Sequence, residues 1–182
     1  ELAEGAGAQA ARRYLDWALE NGHAVAEADA CVLLAERVDG EARASHLQQA
    51  LDAAQRAGQV AWLGRIGTDL GAALDELGRP EEALAAYTRA LEHHRSHGVA
   101  RQIIGAGWAA GAAAARLEDW PLARETLEQA VRRAEGEPDC ADLLALALAD
   151  LARVTEASVD VVEARHLVVR AVELARRQDL QA

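Results

Sequence analysis

Apolar residues recur along the chain at spacings of three and four positions, which is the period of an amphipathic α-helix. One such helix face is formed by four residues, Ala83, Tyr87, Ala90 and Leu91. The sequence contains four further copies of this spacing, which begin at Ala11, Arg43, Ala123 and Ala164. In chain order the five copies are offset by 32, 40, 40 and 41 residues. This nearly constant offset predicts a repeat protein, because amphipathic helices that arise by chance share no common period.

A small residue lies twelve positions before each of the last four faces. These residues are Cys31, Gly71, Gly111 and Ala152. A small side chain permits close approach where two helix axes cross, so each face is predicted to pack against a preceding helix. Turn signals separate the predicted partners at Gly78-Arg79-Pro80 and at Asp119-Trp120-Pro121. In the second turn, Asp119 is the predicted N-cap.

The composition agrees with helices throughout the chain. Ala, Leu, Arg and Glu are abundant, and aromatic residues make up only 3% of the 182 residues. We therefore predict an all-α protein with nine helices, at 5–20, 24–38, 41–57, 60–77, 80–96, 99–117, 120–134, 139–156 and 159–177. Residues 1–182 are predicted to form one repeat domain, with a leading helix at 1–22 and helix pairs at 24–57, 60–97, 99–134 and 139–177.

The pattern resembles the tetratricopeptide repeat (TPR) family. The resemblance is most specific in residues 64–97, which contain the Leu70-Gly71 pair, the Gly-x-Pro turn and the Ala-x3-Tyr-x2-Ala face. Residues 105–134 are a good second match, and weaker matches extend the resemblance over essentially the whole chain. It implies a right-handed superhelical array of antiparallel helix pairs, about four pairs preceded by an N-terminal helix.

The chain departs from the usual TPR pattern in three ways. Its period is about 40 residues, whereas the usual TPR period is about 34. Arg43 occupies a position where a small residue is expected, and the Pro that often closes a repeat is missing. The resemblance is therefore to a long-period variant, which is associated with bacterial signalling proteins and regulators. Residues 1–20 look like the second helix of a pair, which favours a fragment of a longer protein; a capping helix is the alternative.

The charge of the chain limits its partners. A formal net charge of −11 and a pI near 5.0 argue against direct binding to nucleic acid or to an anionic membrane. No apolar run approaches the roughly 18 residues that a transmembrane helix needs, and no signal peptide is visible. Cys31 and Cys140 are expected to be buried thiols in a reducing cytoplasm rather than a disulfide. These features predict a cytoplasmic protein.

The sequence contains no motif that predicts catalysis, a metal or a cofactor. The run Gly105 to Gly111 has the wrong spacing and context for a dinucleotide-binding loop. His93 and His97 are four residues apart, so they could bridge a metal, but no third ligand is identifiable. A solvated helix end is the alternative interpretation of these histidines. We therefore predict a non-enzyme without a cofactor.

The resemblance implies that the first helix of each pair lines a concave groove. The residues predicted to contact a partner there are Arg65, Thr68, Asp75, Trp108, Ala112, Arg116, Arg153 and Glu156. Trp108 would be an apolar anchor, and the arginines would bind carboxylates of the partner. Two alternatives stay open: Trp108 packs between neighbouring helices, and the arginines are solvated or paired with Asp75 and Glu156.

Taken together, these features predict a non-catalytic scaffold that binds a peptide or helix of a protein partner in its groove. The alternative is a sensor or regulatory segment of a larger bacterial signalling or transcription-regulator protein. Such a segment could also bind a small ligand. Terminal repeats that lack a polar cap could also associate with each other.

Overall fold

The computed structural model describes residues 6–157 and 161–179, and within these ranges the regular structure consists of nine α-helices and one 3₁₀ turn. The helices are α1 (Ala6–Glu20), α2 (Ala24–Ala35), α3 (Gly40–Arg56), α4 (Val60–Glu76), α5 (Pro80–His97), α6 (Ala100–Arg116), α7 (Trp120–Ala134), α8 (Ala141–Ala157) and α9 (Val161–Asp179). The 3₁₀ turn, Pro138–Cys140, precedes α8. The prediction of an all-α repeat protein is confirmed.

The chain forms two compact units, Glu1–His93 and His94–Ala182. In the first unit α1 packs on α2, α2 on α3 and α3 on α4. In the second unit α6 packs on α7, α7 on α8 and α8 on α9, and α6 also contacts α8. Within each unit these helices therefore pack against their neighbours in sequence, which is the arrangement expected for stacked helical hairpins. The single domain over 1–182 stays a prediction.

The glycines predicted at helix crossings lie where a side chain has no room. A methyl group on Gly71 would lie 2.6 Å from two ring carbons of Tyr87, on α5. A methyl group on Gly111 would lie 2.7 Å from Cγ of Leu127, on α7. Tyr87 and Leu127 are themselves buried, so neither can swing away easily. The predicted phase of the first helices is thus confirmed for these two pairs.

The turn after α4 and the turn after α6 have the same backbone geometry but different residues. Gly78 has φ of 70°, and Glu118, forty residues later, has φ of 58°. In both turns the next amide bonds five residues back, from Arg79 to the Leu74 carbonyl at 2.9 Å and from Asp119 to the Ala114 carbonyl at 3.0 Å. This is the Schellman closure of a helix, which requires a left-handed residue and favours glycine.

The start of α7 is capped as predicted. The Asp119 carboxylate accepts a hydrogen bond from the amide of Leu122 at 3.2 Å, and Pro121 follows in the first turn. An acceptor at this position satisfies one of the amides that a helix leaves unpaired at its start. By contrast, α2 ends at Ala35, three residues earlier than predicted. The reason is that the amide of Arg37 bonds to the Leu34 carbonyl three residues back, which tightens the chain into a turn.

Arg43, the departure from the family pattern, forms an ion pair with the next helix pair. Its Nη1 lies 2.9 Å from a carboxylate oxygen of Glu76, near the end of α4. At the equivalent positions, Ala83 and Ala123 are fully buried, whereas the Arg43 side chain is 28% exposed. The long side chain therefore passes the helix interface and reaches solvent with its charge paired, which explains why a large residue fits there.

The core is made mostly of alanine and leucine, so the helices pack closely. Both cysteines are buried free thiols, as predicted. Burial raises the pKa of the Cys31 thiol to about 11, and the charge of Glu27 acts in the same direction, so this thiol is unreactive at neutral pH. Among the described residues, no helix is both long and apolar enough to span a bilayer.

Candidate protein-binding site

The first helices of the last two pairs, α6 and α8, contact each other through a tryptophan and a carboxylate. Trp108, in the middle of α6, is half-buried, and its indole Nε1 donates a hydrogen bond to Oδ2 of Asp150 on α8 at 2.8 Å. An indole N–H that is partly desolvated needs such an acceptor. The bond fixes the orientation of the ring, and it joins two neighbouring hairpins of the second unit.

The same carboxylate also binds an arginine. Nη2 of Arg153 donates to Oδ1 of Asp150 at 2.9 Å, and the Arg153 side chain is 59% exposed. A guanidinium has five N–H donors in a rigid plane, so Arg153 keeps donors that point to solvent. Asp150 thus holds an aromatic ring and a positive charge next to each other on one surface.

Two exposed apolar side chains lie on α8 near Asp150. Leu146 lies one helical turn before Asp150 and is 45% exposed, and Ala149 is exposed as well. Leu146, Ala149 and Arg153 are spaced so that they share one face of α8. We call Trp108, Leu146, Ala149, Asp150 and Arg153 the tryptophan patch. It combines a held aromatic ring, an accessible leucine and an accessible cation.

A second polar contact between α6 and α8 borders the tryptophan patch. Arg101 binds Asp142 through two hydrogen bonds, one of them 2.9 Å long, and also donates to the carbonyl oxygen of Asp139 at 3.0 Å. The hydrogen bond from Arg101 is the main reason that the pKa of Asp142 lies below its ordinary value. Because both side chains are about half exposed, the pair fixes the position of α8 more than it stabilises the fold.

In the first unit, the structure gives the predicted groove residues different roles. Arg65 is exposed on α4. Thr68 is half-buried, and its hydroxyl donates to the Gly64 carbonyl of the same helix at 2.9 Å. Asp75 accepts a hydrogen bond from the Tyr87 hydroxyl at 3.1 Å. Asp75 therefore helps to join α4 to α5, and contact of these residues with a partner stays a prediction.

The predicted residues of the second unit are partly brought together. Trp108 and Arg153 meet at Asp150, whereas Ala112 is buried, with 6% of its surface exposed. Arg116 and Glu156 are exposed near the ends of α6 and α8. Ala112 provides space for neighbouring helices more than a contact surface, and binding by the exposed residues stays a prediction.

Sequence reasoning missed Asp150 and Leu146, although a signal for Asp150 was present. Asp29, Asp69 and Asp150 all lie two residues before the small residue at a helix crossing, and all three are half-buried. Burial raises the pKa of Asp69 above its ordinary value, although the charges of Arg65 and Arg43 oppose this effect. A carboxylate that recurs at one register position is a signal that repeat alignment could have detected.

The histidines near the end of α5 differ in how deeply they are buried. His94 is buried, His93 is half-buried and His97 is exposed. Within the residues that the structure describes, no group of three or more His, Cys, Asp or Glu side chains could hold a metal ion.

No family model and no curated protein matches this sequence. Solved structures do match it. BtubC (BKLC) from P. vanneervenii is 16% identical, with a TM-score of 0.58 over 98% of this chain and 93% of that one. A putative kinesin light chain from Podosopora anserina with nearly identical TPR-like repeats is also 16% identical, with a TM-score of 0.55 over 94% of each chain. This chain has a TPR-like fold. At this level of identity the comparison establishes the fold, and the TPR-like repeats of the chain are the helix pairs described above.

Proposed function

We propose that this TPR-like chain is a non-catalytic scaffold for protein interactions, and that the tryptophan patch binds a segment of a protein partner. One observation carries the proposal: Asp150 holds Trp108 and Arg153 side by side, next to the exposed Leu146. Tryptophan and arginine are the residue types most often found at the energetic centre of protein interfaces. A TPR-like repeat scaffold generally serves protein interactions.

The chemistry of the patch defines the peptide it fits. Trp108 and Leu146 offer an apolar surface, which suits a leucine or aromatic side chain of the partner. The remaining N–H donors of Arg153 suit a carboxylate beside that residue. Asp150 is already engaged by Trp108 and Arg153, so it supports the surface rather than binding the partner. The proposed ligand is therefore an apolar segment with an adjacent acidic residue.

The net charge of the chain favours one class of partner. A chain of net charge −11 would repel nucleic acid and anionic lipid, so a protein or peptide partner is favoured. We propose that this interaction takes place in the cytoplasm.

The test selects peptides from a displayed random library on the purified chain and measures their affinity by fluorescence anisotropy. Selected sequences are expected to pair an apolar residue with an acidic one. Trp108→Ala is expected to weaken binding by more than about 1 kcal/mol, because truncation removes the proposed anchor. Trp17→Ala is the matched control, because Trp17 is 47% exposed in the other unit.

The outcome separates binding from folding. Circular dichroism checks that each variant stays helical. If Trp108→Ala unfolds, the exposed variants Leu146→Ala and Arg153→Ala replace it, and both are expected to weaken binding. If Trp108→Ala folds and binds the peptide as tightly as the parent chain, the role of the patch is disproved. If Trp108→Ala does not fold, the role is disproved when Arg153→Ala and Leu146→Ala both bind as tightly as the parent chain.

A further inference from the structure

In the first unit a groove lies between α3 and α5, with α4 as its floor. It contains two cavities, one of about 340 Å³ and one of about 170 Å³. Leu63 and Gly67 line the smaller cavity, and Leu70 and Leu74 line the larger one. These four residues share one face of α4 and extend over about 16 Å of the helix. We call this feature the α3–α5 groove; it shares no residue with the tryptophan patch.

Small residues in the two walls leave the space of the groove. Ala86 and Ala90 of α5 line the smaller cavity, whereas Ala44 of α3 and Ala85 of α5 line the larger one. The floor is well covered, since only 3% of the surface of Leu70 is exposed. The groove is therefore narrow, and it suits side chains that a partner inserts from above rather than a backbone that lies inside it.

Arg89 lies where the two cavities meet, because it lines both of them. Its Nε donates to the carbonyl oxygen of Ala85, one turn earlier on α5, at 3.4 Å, which is a long and weak hydrogen bond. Among the residues that the structure describes, neither Nη group of Arg89 has a partner. The guanidinium therefore keeps the paired donors that bind a carboxylate, and it holds them between the two cavities.

The acidic residues that line the groove already bind another arginine. Nε and Nη2 of Arg79 donate to the two carboxylate oxygens of Glu82, both at 2.6 Å, and Nη1 of Arg79 donates to Glu41 at 3.1 Å. The described lining of the smaller cavity contains no acidic residue, and His93 lies there one helical turn after Arg89. A carboxylate that enters the groove at Arg89 would therefore compete with no acidic residue of the described lining for that guanidinium.

From this combination we propose that the α3–α5 groove binds an amphipathic helix of a partner protein, with one apolar side chain in each cavity and a glutamate on Arg89. The floor repeats every seven positions, from Leu63 to Leu70 and from Gly67 to Leu74. A partner helix that lies along the groove has the same rise per residue as α4. Its apolar anchors are therefore expected at i and i+7, and its glutamate on the same face at i+3 or i+4. This surface is separate from the tryptophan patch and does not depend on its function.

The test uses an alanine-based peptide that a side-chain lactam holds helical, with leucines at i and i+7 and a glutamate at i+3. The control peptide has glutamine in place of the glutamate. Each is titrated into the ¹⁵N-labelled chain while NMR follows the amides of Gly67 and Ala86 and the Nε–H of Arg89. The glutamate peptide is expected to shift all three signals saturably. The glutamine peptide is expected to bind about tenfold more weakly or worse, because it lacks the charge-assisted hydrogen bond.

Two variants locate the glutamate of the peptide. Arg89→Gln is expected to weaken the glutamate peptide about tenfold or more and to leave the glutamine peptide unchanged. Arg65→Gln is the charge-matched control, because Arg65 is an exposed arginine on another face of α4. It is expected to change neither affinity. If Arg89→Gln does not fold, Ala85→Leu replaces it; residue 85 is exposed, and the added bulk is expected to block the larger cavity and abolish binding.

Four results would overturn the proposal: no saturable shift of the three signals, equal binding of the glutamine peptide, equal weakening by Arg65→Gln, or unchanged binding by Ala85→Leu. A peptide of the same composition with a central proline that binds as tightly would overturn the assignment to a helix. Shifts confined to the indole signal of Trp108 would also overturn the proposal, and they would leave the function proposed for the tryptophan patch intact.

Discussion

In both central hairpins, α4–α5 and α6–α7, a glycine of the first helix lies against a bulky side chain of the second. The α4–α5 hairpin places Gly71 against Tyr87, whose hydroxyl bonds to Asp75 of the same hairpin. The α6–α7 hairpin places Gly111 against Leu127, which is fully buried and apolar. A large side chain on the second helix therefore requires glycine on the first helix. That large side chain can be polar, as in Tyr87, or apolar, as in Leu127.

The two hairpins also differ in their turns and in their polar contacts. The left-handed position is glycine in the first hairpin and Glu118 in the second, where a side chain costs about 1 kcal/mol. In the first hairpin the half-buried carboxylate of Asp75 accepts a hydrogen bond from Tyr87 of the same hairpin. In the second hairpin Trp108 donates a hydrogen bond to Asp150 of the next helix pair. The comparison indicates that close helix packing is the common requirement, and that turns and polar contacts adapt to it.

The largest expected effect tests the crossing itself. Gly71→Leu should lower the free energy of unfolding by about 3 kcal/mol, because the new side chain would overlap the buried ring of Tyr87. Urea denaturation followed by circular dichroism measures the change. The double variant Gly71→Leu/Tyr87→Ala should recover part of the loss, since it returns space to the interface. An unchanged unfolding midpoint for the single variant would mean that this face of α4 does not pack on α5.

A smaller change separates packing from helix propensity. In Gly111→Ala the methyl group meets Leu127, so we expect a loss of about 1–2 kcal/mol. In Gly105→Ala, on the same helix, the new methyl group would lie 3.9 Å from Cδ1 of Leu143, an ordinary contact, so we expect a gain of about 1 kcal/mol. Thermal or urea unfolding of both variants gives the two signs. Changes of the same sign would show that crowding does not explain the glycine at 111.

The residue at the left-handed position of each turn can be exchanged for the one in the other hairpin. Glu118→Gly should stabilise the chain by about 0.5–1 kcal/mol, because it removes a left-handed side chain although it also loosens the unfolded state. Gly78→Glu should destabilise it by about 1 kcal/mol for the converse reason. Both values come from urea denaturation. A destabilised Glu118→Gly variant would show that the Glu118 side chain makes a contact worth more than its backbone strain.

The polar contacts are compared by two double-mutant cycles. Trp108→Phe with Asp150→Ala should give a coupling energy of about 1 kcal/mol, because the half-buried indole loses its acceptor. Tyr87→Phe with Asp75→Ala should give a similar coupling within its own hairpin. Unfolding free energies of the single and double variants supply both values. Zero coupling between 108 and 150 would contradict the contact between α6 and α8.

The smallest expected effects concern pH. Because burial raises the pKa of Asp69, its ionised form is disfavoured in the folded state, and stability falls as the pH rises through that pKa. Asp69→Asn should therefore stabilise the chain at pH 7 but have little effect near pH 3, below the ordinary Asp pKa of about 3.9. Melting temperatures of the variant and the parent chain at both pH values measure this difference.

Asp142 is expected to change the stability of the chain with pH in the opposite direction. Its pKa is lowered by Arg101, so its contribution is present above the ordinary Asp pKa and is lost as the pH falls through the lowered value. Asp142→Asn should thus destabilise the chain at pH 7 by a few tenths of a kcal/mol, the usual size for an exposed pair. If both Asn variants shifted the melting temperature in the same direction at pH 7, the assigned causes of the two pKa shifts would be wrong.

The local rules of sequence predicted the helices and the crossings well. Gly71, Gly111 and Asp119 could be assigned because their roles depend on residues at fixed distances along the chain. The bond from Trp108 to Asp150 spans 42 positions and depends on how two hairpins stack, so helix periodicity could not predict it.

The fit between a glycine and its large neighbour has a consequence for how such chains change over time. Gly71 and Tyr87 are sixteen positions apart and belong to one hairpin, as do Gly111 and Leu127. A hairpin copied, deleted or transplanted whole keeps its complementary sizes, whereas a recombination point between its two helices would set bulk against bulk or leave a void. Successful chimeras of this protein should therefore have their junctions at Gly58 or Gly98 rather than at Gly78.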